Sequence, residues 1–149
     1  TWNIQMTNVP IQDYDQIKFT IGLTENWNIT GALTNTYENI GMAWPDVMGG
    51  GYHFMKLEGH FAKNGNTSSG YAMHLGENGY QVLIDKPISI TAVENGSNHI
   101  TISIDAMEWF SNPYSFDFEI DGNYTMGIPE LMQKLTDNGS TVIYNISVP

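Results

Sequence analysis

Short segments that alternate apolar and polar residues run along this chain, with the period of two that is typical of half-buried β-strands. Residues 17–21, Ile-Lys-Phe-Thr-Ile, show the pattern clearly. Asn-Gly and Asp-Gly pairs, which favour tight turns, separate many of the segments, and one of them is Asn64-Gly65. This arrangement predicts an all-β fold, either a sandwich or a barrel. The other predicted strands are residues 52–57, 81–84, 88–91, 100–104, 116–120 and 142–146.

Two short segments favour helix instead, residues 106–111 and residues 129–136. The second has Pro129 where a proline suits the first helical turn, and Gly139 follows its end. A further alternation at residues 2–6 predicts a first strand near a sheet edge. Such an edge would be open to self-association or to a strand supplied by a partner. No linker or repeat divides the 149 residues, so we predict a single domain, residues 1–149.

Charge and composition exclude several classes of function. The net charge is −11, and the five positive charges are all lysines. We therefore expect no nucleic-acid binding, which requires clustered basic residues. Cysteine is absent, which excludes disulfides, thiolate metal sites and cysteine nucleophiles. No apolar run reaches the roughly 18 residues of a membrane-spanning helix. An acidic, Asn-rich, cysteine-free β protein fits a bacterial periplasmic or extracellular, cell-surface setting.

Residues 41–76 carry the candidate chemistry, with three of the four histidines and four of the eight methionines. Imidazole nitrogen and thioether sulfur together suit copper, whereas zinc sites seldom use thioether. The stretch also holds Trp44, which Pro45 keeps out of helical geometry and therefore places on a loop. We expect any metal to bind here. The histidines and methionines concerned are His53, His60, His74, Met42, Met48, Met55 and Met73.

The same residues also have interpretations that need no metal. Met55 fits a core position on a central strand, and His74 fits a hydrogen-bonded structural histidine. Trp44 fits a plug at one end of the fold. Lys56 and Glu58, on one strand face, fit an ordinary surface ion pair. No motif of a known catalytic site occurs, so we predict that the protein is not an enzyme and has no catalytic residues.

Five short motifs occur in order between roughly residues 15 and 142. They are residues 17–22, Met42-x-Trp44, the Gly-rich approach into residues 51–59, residues 73–76 (Met-His-Leu-Gly), and residues 129–132 leading to residues 137–139. Taken together, these motifs resemble the MbnP-like copper-binding proteins of bacterial periplasms and outer surfaces. The usual N-terminal portion of that family is not recognisable, so the chain is expected to be truncated or divergent there.

The resemblance implies an immunoglobulin-like antiparallel β-sandwich with a mononuclear copper site built from histidines and a tryptophan-derived ligand. In characterised relatives, a partner di-haem peroxidase of the MauG type oxidises the tryptophan to kynurenine. Carried onto this chain, the tryptophan is Trp44, and the histidine of the His-Leu-Gly motif is His74. His53 is the next candidate ligand, and Met42 or Met48 would add a soft thioether donor.

The leading expectation is thus a periplasmic or cell-surface protein that captures copper or hands it over. Metal–nitrogen bonds near ~2.0 Å bring ligands together, so Trp44 and His74 should lie close to each other. The alternative is a metal-free surface binding or assembly module. Such a module would bind glycan or protein through its loops or an open sheet edge.

Overall fold

The computed structural model describes residues 3–65, 67–94 and 96–148. Most of the regular structure in these ranges is β-strand, which confirms the predicted all-β fold. The described strands are β1 (Asp13–Ile21), β2 (His53–Lys63), β3 (Thr67–Gly76), β4 (Val82–Thr91), β5 (Thr101–Ile104) and β6 (Ile143–Ser147).

Short helices connect some of these strands. The two helices predicted from the sequence are present, one as a 3₁₀ helix and the other as an α-helix that continues to Gly139. Two further short helices lie between β1 and β2, where several glycines and Pro45 interrupt any periodic pattern. The described helices are α1 (Tyr37–Gly41), α2 (Pro129–Gly139) and 3₁₀ helices at Asp46–Met48 and Ala106–Phe110. None of them has the length and apolar character needed to cross a membrane.

The described strands pair antiparallel in twos: β1 with β4, β2 with β3, and β5 with β6. Antiparallel pairing was expected. Hydrogen bonds do not join these pairs into two larger sheets, so the immunoglobulin-like sandwich stays a prediction for this chain. The hairpin of β2 and β3 turns at Asn64 and Gly65, whose positive φ values of 50° and 78° suit these two residue types.

One buried cluster holds the strand pairs and α2 together. Asn138 on α2 is fully buried and hydrogen-bonds both the second 3₁₀ helix and the loop that follows it. Its Nδ2 donates to the carbonyls of Trp109 (2.9 Å) and Tyr114 (2.7 Å), and its Oδ1 accepts from the amide of Tyr114. The fully buried apolar side chains are those of Trp44, Met73, Leu75, Ile84, Met132, Leu135 and Val142.

The predicted strand at residues 116–120 is wrong, because this segment forms an irregular stretch followed by a turn. The Asp117 carboxylate accepts a hydrogen bond from the Glu119 amide at 2.8 Å, and the Asp121 carboxylate accepts one from the Asp117 amide at 2.7 Å. These local bonds satisfy backbone donors that a strand would pair with a neighbour. The apolar pattern has another cause, since Phe116 and Phe118 pack into the aromatic part of the core.

The predicted first strand is also wrong in its described part. Trp2 lies outside the described residues, and residues 3–7 form no strand. Ile4 and Met6 are 91% and 77% exposed, so the predicted buried face does not exist. An alternating segment forms a strand only where a neighbouring strand can pair with it and a core can bury its apolar face. Self-association through this edge therefore has no support from these residues. The segments at residues 81–84 and 88–91, predicted as two strands, form the single strand β4.

Candidate metal centre

Three aromatic rings from distant parts of the sequence lie in contact at one end of the β2–β3 hairpin. The Trp44 and His53 ring centroids are 4.7 Å apart, and those of His53 and His74 are 4.8 Å apart, both in edge-on geometry. Trp44 is 1% exposed and each histidine is 8% exposed. His53 thus touches both other rings, and the three form one buried group, the Trp44–His53–His74 cluster.

Backbone pairing places Trp44 beside the start of β2. Ala43 forms an isolated antiparallel bridge with Tyr52. The amide of Trp44 donates to the Gly51 carbonyl at 2.9 Å, and the amide of His53 donates to the Met42 carbonyl at 2.7 Å. The chain reverses between these segments through residues 49–51, whose φ values are 101°, 69° and 91°. Only glycine adopts such values without strain, which explains the triple-glycine run.

The other histidine is brought in by the register of the hairpin. His74 on β3 stands opposite Lys56 on β2, and His53 stands opposite Gly76. A bulge between His53 and Met55 shifts the pairing by one residue at this end. Irregular pairing of this kind re-aims side chains, and here it accompanies the contact between the two imidazoles.

Each histidine uses one ring nitrogen and leaves the other free. His53 Nδ1 lies 3.1 Å from the Met42 carbonyl oxygen, and His74 Nε2 lies 2.8 Å from Glu58 Oε1. A carbonyl and a carboxylate only accept hydrogen bonds, so these two nitrogens carry the protons of the neutral rings. His53 Nε2 and His74 Nδ1 therefore hold lone pairs. Both atoms are buried and lack any hydrogen-bond partner within the described part of the chain.

Two unpaired lone pairs on adjacent buried rings call for a physical explanation, because buried polar atoms are almost always hydrogen-bonded. A neutral imidazole lone pair is the commonest metal-ligating group in proteins. Metal-bound histidines typically donate their other nitrogen to a carbonyl or carboxylate. His53 and His74 have this arrangement on Met42 and Glu58 respectively. The cluster thus offers two imidazole nitrogens that are oriented as metal-binding histidines usually are.

The remaining candidate ligands contribute differently from what the sequence suggested. Trp44 Nε1 donates to the Met48 carbonyl at 3.2 Å, and an unmodified indole has no lone pair to offer a metal. Met42 and Met48 are half-buried. They contact the cluster through their backbone carbonyls, that of Met42 with His53 and that of Met48 with Trp44. Thioether ligation by either methionine stays a prediction.

No group of three or more His, Cys, Asp or Glu side chains is arranged to hold a metal in residues 3–65, 67–94 and 96–148. An ion bound at the cluster by three or more side chains would therefore need donors beyond these residue types. A cleft of about 210 Å³ lies beside His53. It is lined by Gly22, Leu23, Leu33, Asn39, Met42, Tyr52, His53 and Phe54.

Glu58 is the functional candidate that sequence reasoning missed. Its Oε1 lies 2.8 Å from His74 Nε2 and 3.7 Å from Lys56 Nζ, so the contact with the histidine is the closer one. The hydrogen bond to His74 is the main cause that lowers the pKa of Glu58, and the Lys56 charge acts in the same direction. His74 stands opposite Lys56, and Glu58 lies two residues further along β2. Glu58 is therefore the diagonal neighbour of His74 on the same face of the hairpin. The predicted turn at Asn64-Gly65 was the one signal of this register.

The sequence profile of the MbnP family matches residues 1–130. The chain belongs to the MbnP family. The match includes every member of the cluster together with Glu58, and it confirms the assignment made from the ordered motifs. MbnP is a copper-associated family. No curated protein and no solved structure matches the chain significantly.

The pH dependence of stability should report on His53 in this MbnP protein. Burial is the largest cause that lowers the pKa of His53 below its ordinary value of 6.5, and the neighbouring His74 and Lys56 add to it. The unfolded chain then binds the proton more readily than the folded one. The contribution of His53 to stability should therefore be constant above about pH 7 and fall as pH drops through about 6.5 towards the lowered folded-state pKa.

Thermal melts of the metal-free protein between about pH 7.5 and 5 measure this slope. His53→Gln should flatten it, while His99→Gln, which changes an exposed histidine, should keep it. Equal slopes in the His53→Gln variant and the parent protein would contradict the argument.

Proposed function

We propose that this protein is a non-enzymatic copper-binding protein of the periplasm or cell surface, which captures copper or hands it over at the Trp44–His53–His74 cluster. One observation carries the proposal. Two adjacent, buried imidazoles each present an unpaired lone pair, while their other nitrogens are held by Met42 and Glu58. Membership of a copper-associated family supports the choice of metal.

The donor set favours copper over the other common metals. Structural and catalytic zinc sites use three or four His, Cys or carboxylate ligands, and the described residues bring only two imidazoles together here. Calcium and magnesium prefer oxygen donors. Copper accepts imidazole and soft thioether ligands. The proposed ligands are His53 Nε2 and His74 Nδ1, with Met42 or Met48 as an added thioether donor.

Trp44 would supply a further metal ligand only after modification. Its intact indole N–H can donate a hydrogen bond but has no lone pair for a metal. Oxidation to kynurenine opens the indole ring and leaves an aromatic amine with a lone pair. A di-haem peroxidase of the MauG type is the proposed partner for that step. The contact between Trp44 and His53 would place the new amine in the same buried group as the imidazoles.

Metal analysis and intact mass of protein purified from its natural host test this proposal. We expect copper bound to the protein and, where Trp44 is kynurenine, a mass that has lost one carbon and gained one oxygen. Titration of the metal-free protein with copper, with zinc as competitor, should show selective binding. The affinity should fall as pH drops below about 6.5, because protons compete for the imidazoles and burial lowers the pKa of His53.

Two results would overturn the copper function. One is natural protein without copper that also fails to bind copper in the titration. The other is equal copper affinity at about pH 5 and about pH 7.5, which would exclude histidine ligands.

A metal-free binding module is the second candidate, and exposed apolar side chains near the cluster favour it. Trp27, Tyr37 and Val47 are 59%, 91% and 96% exposed. They lie on segments close to the cluster. Val47 follows Trp44 by three residues. Asn28, the neighbour of Trp27, accepts a hydrogen bond from the amide of Tyr52, which directly precedes His53. Under this function the natural protein would carry no copper, and Trp27→Ala would weaken partner binding.

A further inference from the structure

Glu58 links the protein surface to the buried imidazole of His74. The side chain of Glu58 is 54% exposed, whereas that of His74 is 10% exposed. The 2.8 Å bond between Glu58 Oε1 and His74 Nε2 therefore runs from a solvated carboxylate to a buried ring. An ordinary surface ion pair with Lys56, at 3.7 Å, does not account for this orientation.

The rest of His74 is held independently of Glu58. Its backbone amide donates to Thr125 Oγ1 at 2.7 Å, and the same hydroxyl donates to its carbonyl at 2.7 Å. Thr125 is fully buried, so this pair of bonds fixes the backbone of His74 from the far side. Thr125 holds the backbone of the residue, and Glu58 is the hydrogen-bond partner of its ring.

A neutral imidazole has two tautomers, and the hydrogen bond of one nitrogen selects between them. Because a carboxylate only accepts, Glu58 requires the proton on His74 Nε2. The lone pair then sits on Nδ1, the buried atom without a partner. The opposite tautomer would place two lone-pair atoms, Nε2 and the carboxylate oxygen, against each other. The negative charge of Glu58 also raises the donor strength of the ring.

We propose that Glu58 is a positioning residue: it holds His74 in the Nε2–H tautomer and thereby selects Nδ1 as the nitrogen that binds the metal. The metal part of this inference rests on the proposed copper function. The tautomer is a property of the metal-free protein, so it can be measured whether or not copper binds.

Two-bond ¹H–¹⁵N correlation spectra of the metal-free protein identify the tautomer of each histidine. The parent protein should show His74 with its proton on Nε2. Glu58→Gln should weaken this preference in part, because the glutamine amide can donate as well as accept. Glu58→Ala should show a mixture or the Nδ1–H form. Asp85→Ala is the matched control, because it removes another carboxylate paired with a lysine, at 2.8 Å from Lys18, and should leave His74 unchanged.

An Nδ1–H tautomer in the parent protein, or an unchanged Nε2–H tautomer in Glu58→Ala, would overturn the inference. Glu58 is exposed, so its replacement should not unfold the protein.

Copper(I) titration against a competing chelator provides the second readout. Glu58→Ala should lose roughly 10- to 100-fold in affinity, as expected for the hydrogen-bond partner of a ligand. Glu58→Gln should lose less, and Asp85→Ala should match the parent. Parent-like affinity in Glu58→Ala would overturn the positioning role while leaving the copper function standing. Failure of the parent to bind copper would overturn the copper function and with it the metal part of this inference, and the spectra would still decide the tautomer.

Discussion

Replacing both His53 and His74 by alanine is expected to abolish the proposed copper binding while the fold persists. The double variant removes the two buried lone-pair nitrogens of the cluster. Loss of a hydrogen-bond partner of a ligand already costs about 10- to 100-fold in metal affinity. Loss of two ligands should therefore exceed ~1,000-fold. Copper(I) titration with a chelator of known affinity measures the change.

The control for this experiment is the double replacement of His60 and His99 by alanine. Both histidines are exposed and lie outside the cluster, so this variant should keep the parent affinity. Far-UV circular dichroism checks that each variant is folded. Each single variant, His53→Ala or His74→Ala, should fall between the parent and the double variant. Parent-like copper affinity in the double variant would exclude these residues as ligands.

Replacing Gly76 by alanine is expected to destabilise the protein by about 2–3 kcal/mol, the effect of overpacking a core. An added Cβ would lie 2.4 Å from Cε3 and 2.7 Å from Cζ3 of Trp44. The tryptophan ring has little room to retreat, because it is buried, touches His53 and bonds the Met48 carbonyl. Urea unfolding followed by tryptophan fluorescence gives the change in the free energy of unfolding.

Gly70→Ala provides a matched control on the same strand. There an added Cβ would meet only the Gly59 carbonyl, at 3.8 Å, which is ordinary contact. Neither glycine has a positive φ, so the comparison isolates the steric effect. We expect Gly70→Ala to stay within about 0.5 kcal/mol of the parent. If the two variants proved equally stable, the packing of Trp44 on the β3 backbone would be disproved.

Local sequence pattern predicted the elements that local interactions determine. The alternation at residues 17–21 lies within β1, and Pro129 begins α2 as its fixed φ requires. The Asn64-Gly65 pair turns the β2–β3 hairpin. The pattern failed at residues 116–120, where Asp117 and Asp121 capture backbone amides that a strand would need.

The candidate metal residues show the same division. The sequence alone placed Trp44, His53 and His74 among the candidates, because their chemistry and order along the chain are visible without a structure. It could not distinguish a core histidine from a ligand. That distinction depends on which ring nitrogen has a hydrogen-bond partner. The partners, the Met42 carbonyl and the Glu58 carboxylate, lie on other segments of the chain.

The sequence by itself determined the all-β class, the family, and the pool of imidazole, thioether and indole groups from which a copper site could be built. Tertiary structure decided that Trp44 and two histidines meet, that Glu58 hydrogen-bonds His74 as well as pairing with Lys56, and that two lone pairs stay unpaired in the core. The reason is physical. Residue type and local pattern specify backbone preference and donor chemistry, whereas burial, strand register and hydrogen-bond partners arise only when distant segments pack together.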